Sequence, residues 1–185
     1  MGNYTEAKAN AVEALKLQSG LENLNLYIGD AVTYPENLKD KEVILAKMPR
    51  TTFSLTSYSA VDLVLSDGLL NLFDRDYDLR YLYFTRPMSE LGVEYTGRIY
   101  FKNHLYNSYP KYESRSMGPS VPEMMLIEAE CWAREGKTTE AMNILNTLRE
   151  YRFSPDEYYT LSAATATEAL GHVLQERRKE LMCRG

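Results

Sequence analysis

Three aspartates alternate in the stretch "DRDYDLR": Asp74, Asp76 and Asp78. Alternating carboxylates are how a calcium loop begins, because every second residue points an oxygen at the ion. Such a loop then needs glycine at its sixth position and glutamate at its twelfth. Here those positions hold Leu79 and Thr85, so the stretch reads instead as a helix end followed by a polar turn. A second charged run, "QERRKEL", sets Arg177, Arg178 and Lys179 between Glu176 and Glu180. Its charges nearly cancel, which disfavours a basic patch. Arg177 falls on a helical stripe with Leu170, Val173, Leu174 and Leu181, so it is expected to be partly buried and to need a carboxylate, with Glu128 or Glu130 as the expected partners. Arg177 and Glu180 are therefore assigned structural roles. Trp132 invites a sugar-stacking role, but it sits in register with Met125 and Ala129 on a helix, so it is assigned to core packing. The better sugar candidates are the loop aromatics Phe53, Tyr58 and Tyr95, whose rings can stack on a sugar face while loop hydroxyls and amides meet its hydroxyls.

Catalytic chemistry finds little support. His104 and His172 belong to no recognisable motif, and the chain has no GxSxG, HExxH or phosphate-binding loop. A carboxylate pair for glycoside hydrolysis is defined by distance in space, so sequence leaves that class open, but the chain is expected not to be an enzyme. The two cysteines, Cys131 and Cys183, form no CxxC, and with two distant histidines they give zinc no support; a Cys131–Cys183 disulfide stays open. No cofactor is expected. A net charge of −5 argues against a nucleic-acid partner and against attraction to anionic lipid. No run approaches the ~18 apolar residues of a membrane-spanning helix.

The elements that must position these residues are clearest in the last third. "SVPEMMLIEAECWAREG" has Ser120 as an N-cap, Pro122 near the first helical position and Gly136 at its end. "TTEAMNILNTLREYR" follows with Ala141, Ile144, Leu145 and Leu148 inward. A third helix opens at Thr165 and Glu168, which have capping-box spacing. Near the start, Ala7, Ala11, Ala14 and Leu15 share one helical face that ends at Gly20. Between lie mixed segments. "EVILAKM" reads as a short buried strand, Ser66 as the cap of a short helix, and "DLRYLYFTRP" with "TGRIYFKNHLY" as an antiparallel β pair. The pattern G-x-x-T-E-A occurs at Gly2–Ala7 and again at Gly136–Ala141. In tetratricopeptide-type helix pairs such a turn opens the second helix, where alanine lets two helices approach. The first copy has no helix before it, so Ala7, Ala11 and Leu15 are expected to expose an uncovered face.

The last-third stretch "VPEMMLIEAECWAREGKTTEAMNILNTLREYRF", with the closing "ERRKEL", resembles the SusD/RagB family of bacterial surface nutrient-binding lipoproteins. The family pattern is met at Glu123, Leu126, Ile127, Ala129 and Glu130, then at Gly136, Ala141, Leu145, Asn146, Leu148, Arg149 and Arg152. It is met again from Glu176 through Leu181 and at Gly185, with departures at Cys131 and Arg184. "LSDGLLNLFDRDYDLR" is similar to the family's mid-chain segment, in which a short helix precedes Asp-x-Arg. The resemblance implies a mostly α fold: a tetratricopeptide-like helical scaffold with a short antiparallel β pair and long loops. On this reading residues 1–185 are a single fragment of such a domain. Residues 1–20 form the orphan repeat helix, 21–120 the loop-rich ligand side, and 121–185 the helical repeat region. It also implies non-catalytic binding of glycans or related nutrients for a SusC-like TonB-dependent transporter at the outer membrane, with membrane contact only through a lipid anchor that this stretch lacks. The alternative is a helical-repeat scaffold that binds protein alone.

Overall fold

The computed structural model describes residues 2–28, 34–47, 65–87, 99–101 and 116–182. They form a mostly α fold, with α1 (Tyr4–Leu17), α2 (Asp67–Leu70), α3 (Leu79–Phe84), α4 (Val121–Arg134), α5 (Thr138–Glu150) and α6 (Ala166–Glu180). Two three-residue strands, β1 (Thr85–Pro87) and β2 (Ile99–Phe101), pair antiparallel with Arg86 opposite Tyr100.

α4 is the hub, packing against α1, α5 and α6. Because three helices cover it, its apolar residues run around much of its circumference rather than along one stripe: Val121, Met125, Leu126, Ala129, Cys131 and Ala133 are all buried. Fully buried alanines on both partners, Ala129 and Ala133 on α4 and Ala141 on α5, let the helices come close. Between them the chain turns at Gly136, whose φ of 78° is the left-handed conformation that glycine adopts without strain. The Lys137 N–H reaches back to the Trp132 carbonyl at 2.9 Å and the Gly136 N–H to that of Ala133 at 3.1 Å, satisfying carbonyls the helix end leaves over. At the start of α6 the Thr165 hydroxyl accepts from the Glu168 N–H, and Glu168 accepts in return from the Ala164 N–H.

α1 is not left uncovered. Ala11 is buried, Ala7, Ala14 and Leu15 are half-buried, and α4 lies against the helix. Lys8 fixes the pairing, bonding Glu135 at 2.6 Å with its ammonium 3.6 Å from the centroid of the Trp132 ring. The expectation of an exposed α1 face therefore fails, because α4 has more than one helix-accepting side.

Two further expectations are corrected. The described part of "EVILAKM", residues 42–47, forms no regular strand: it runs beside 117–121, with the Val121 N–H donating to the Glu42 carbonyl, Ile44 to Pro119 and Met117 to Lys47, but it makes only an isolated bridge, Val43 opposite Ser120, and Leu45 is 59% exposed. "DLRYLYF" is helical rather than extended from Leu79 to Phe84, because Asp78 caps that turn by accepting from the Arg80 N–H. Only Thr85–Pro87 keeps the extended form. The loop after Val43 passes so close to Gly118 that a β-carbon there would collide with the Leu45 carbonyl. Gly118→Ala should accordingly destabilise the fold by about 1–3 kcal/mol, measured by urea unfolding.

Two apolar clusters result. One gathers α4, α5 and α6 around Leu126, Leu145, Leu148 and Val173. The other is aromatic and joins Leu24, Tyr27, Tyr34, Phe73, Leu79, Phe84 and Met182, with Tyr34 and Tyr83 stacked at 5.9 Å. Several of the fifteen tyrosines thus serve packing.

Candidate binding site

Charged residues from distant parts of the chain, Glu42, Asp78, Arg80, Arg149, Arg152, Glu176, Lys179 and Glu180, are buried together. Arg152 is 1% exposed. Its guanidinium grips Glu180 with two bonds, at 3.0 and 3.1 Å, reaches Glu42 at 2.7 Å and donates to the Glu22 carbonyl at 2.8 Å. Arg80 pairs with Asp78 at 2.7 Å, Glu176 at 2.6 Å and Glu180 at 3.1 Å. Lys179 adds contacts to Glu176 at 2.8 Å and Asp78 at 3.5 Å, and Arg149 reaches Glu176 at 3.4 Å. Buried charge survives only when paired in this way.

The cluster tunes its own members. Burial alone would favour a neutral Glu176, but Arg80, Lys179 and Arg149 together hold its carboxyl far below the usual range. Glu42 goes the other way: burial pushes it up, Arg152 pulls it back and Glu180 pushes it up again, leaving it raised. Burial would also discharge Arg80 and Arg152, yet their carboxylates more than reverse it and both are held more firmly protonated. At the edge, Tyr27 donates to Glu22 at 2.6 Å, and burial with that carboxylate raises its phenol.

A pocket of about 560 Å³ opens where the end of α1 meets α4 and α5. Its apolar floor is Leu15, Leu21, Met125 and Ile144, and its rim carries Ser19, Lys41, Glu128, Asn143, Thr147 and Tyr151. That size lies within the ~300–1,000 Å³ of small-molecule sites, and the rim offers donors and acceptors of both signs. It suits a ligand with an apolar side and several hydroxyl or amide groups.

Phe53, Tyr58 and Tyr95 lie outside the described residues, as do His104 and Cys183. Trp132 is half-buried against the α4–α6 core and donates to Glu128 at 3.1 Å. Glu180 is buried in the charge cluster. Arg177 is half-buried, but its nearest carboxylate is Glu123 at 3.9 Å, not Glu128 or Glu130. A pair so long and so wet is weak, so Arg177→Leu should change stability by less than about 0.5 kcal/mol in thermal unfolding. Asp78 is taken up by Arg80 and Lys179, and Asp74 accepts from the Asp76 N–H. Cys131 is a free, buried thiol whose pKa burial raises.

No family model matches the chain, and no curated protein matches it.

Sequence reasoning gave none of the central charged residues a buried-pair role: Glu42 was not singled out, and Arg80, Arg149, Arg152 and Glu176 entered only as positions of the family pattern or of a charged run. A signal existed for one of them. Ala169, Val173, Glu176 and Glu180 recur at spacings of four, three and four, the stripe that α6 buries.

Proposed function

We propose that the chain is the helical part of a SusD/RagB-like protein that binds glycans or related nutrients without catalysis and passes them to a TonB-dependent transporter at the bacterial outer membrane. One observation carries this reading. The three separate stretches that carry the resemblance converge on a single charge cluster. Asp78 and Arg80, from the mid-chain Asp-x-Arg, pair with Glu176, Lys179 and Glu180 from the closing run, and Arg152 from the helical stretch pairs with Glu180. Residues that look like separate motifs act as one structural unit, which supports a shared tetratricopeptide-like scaffold. Their charges are spent on each other, which favours a holding role over acid–base chemistry. The 560 Å³ pocket, with its amphipathic rim, gives a scaffold of this kind somewhere to hold a small ligand.

Exposed leucines favour a second reading. Leu17 and Leu38 are 90% and 88% exposed, with Leu26 and Leu45 more than half exposed, a feature suited to a protein-only scaffold. Two measurements separate the readings. Protein containing this sequence, expressed in an outer-membrane background, should co-purify with a TonB-dependent barrel and give hits on a glycan array. Barrel capture with a silent array supports the scaffold, and failure of both defeats the nutrient reading.

A further inference from the structure

The 560 Å³ pocket at the end of α1 carries one cation, Lys41, and one anion, Glu128, among its described lining residues, over an apolar floor of Leu15, Leu21, Met125 and Ile144. Both charges are set in place, and both keep capacity to spare. The Lys41 carbonyl accepts from the Gln18 side chain at 2.7 Å, which ties that backbone to the end of α1. Its stem crosses Gly20 so closely that a β-carbon there would lie 3.1 Å from the Lys41 Cγ. The Lys41 side chain is 52% exposed, and its carboxylate partner Glu22 is 3.7 Å away and already takes the Tyr27 hydroxyl at 2.6 Å. Glu128 is half-buried on α4, where its Oε1 accepts from the Trp132 indole at 3.1 Å. Among the described residues its Oε2 makes no hydrogen bond or ion pair.

These two charges select the occupant. A lone anion would meet Lys41 but also face Glu128, and a lone cation the reverse. An uncharged molecule would leave both charges to water. The Thr147 hydroxyl on the same rim is engaged by its own helix, donating to the Asn143 carbonyl at 3.0 Å. An ammonium only donates and a carboxylate only accepts, so a molecule with one of each matches both charges at once. The floor asks that its body be apolar, and the volume admits a side chain as large as that of leucine or phenylalanine. We infer that this pocket binds a free amino acid with a large apolar side chain, its ammonium on Glu128, its carboxylate on Lys41 and its side chain on the floor. The inference rests on this pocket being the ligand's place in the proposed function, and it takes the ligand's class from the lining alone.

The test titrates protein containing this sequence with leucine and phenylalanine by calorimetry and amide NMR. Both should bind, with shifts centred on Leu21, Lys41 and Ile144. N-acetyl-leucine lacks the ammonium and leucinamide the carboxylate, and each should bind about tenfold more weakly than leucine. Lys41→Ala should abolish the preference for leucine over leucinamide and keep that over N-acetyl-leucine. Glu128→Gln should do the converse, and its amide oxygen can still accept from the Trp132 indole, so thermal unfolding should stay unchanged. Equal binding of leucine and either blocked form overturns the zwitterion. Binding of dileucine with leucine silent overturns the single amino acid. No shift with any of these ligands overturns the inference alone, since hits on the glycan array and capture of a barrel would still uphold the proposed function.

Discussion

Arg152→Leu should lower the unfolding free energy by about 3–5 kcal/mol, the cost of stripping a partner from a buried ion pair. Arg152 is the cation on which Glu42 depends, and it holds Glu180 through two bonds. Leucine fills some of the volume but leaves Glu42 buried beside Glu180 without that cation. For a chain of this length each kcal/mol moves the melting temperature by roughly 2–4 °C, so a fall of about 6–20 °C is expected by circular dichroism. Adding Glu42→Leu should restore part of the loss, since one buried charge then leaves with the other. A single-variant loss below about 1 kcal/mol would mean the cluster is far wetter than its burial implies.

Glu176→Gln should cost a similar amount, about 3–5 kcal/mol at neutral pH, because three cations, Arg80, Lys179 and Arg149, share that one carboxylate. The pH dependence separates it from Glu42. Glu176 titrates lower in the folded chain than in the unfolded one. Its stabilisation is complete above the unfolded value near 4.3 and drains away as pH falls from there toward the depressed folded value. Glu42 titrates higher when folded. Its ionised form costs stability at neutral pH, and acidification through the raised value relieves that cost. Glu176→Gln should therefore flatten the loss of stability below about pH 4.5, measured by urea unfolding across pH. Glu42→Gln should cost less than about 1.5 kcal/mol, since an amide oxygen can still accept from Arg152 and the Glu22 N–H. Equal penalties for the two variants would contradict the opposed shifts.

The helices of the last third were legible because their apolar spacing, Gly136 and the Thr165–Glu168 cap all act locally. α3 was not. Leu79 to Phe84 is rich in aromatic residues, as strands often are, and what makes it helical is a cap from Asp78 and ion pairs reaching to α6. Propensity yields to tertiary contact there. In α6 the conspicuous leucines misdirected the choice of face. Leu174 is partly exposed, while Glu176, Lys179 and Glu180 are buried. Charged residues at core positions look like a solvated face until their partners are known, and those partners lie in distant parts of the chain. The half-burial of Arg177 could be read from its stripe, but its partner could not.

The separation of those partners along the chain has a kinetic consequence. Arg152 reaches Glu42 across 110 positions and the Glu22 carbonyl across 130, and Arg80 reaches Glu180 across 100. Contacts that close such long loops bring their loop-closure cost before their reward, and they complete late in folding. Interactions absent from the transition state act on the rate of unfolding rather than on the rate of folding. Substitutions in the cluster should therefore steepen escape from the native state while leaving the refolding rate nearly untouched, so the cluster sets how long the fold lasts more than how quickly it is reached.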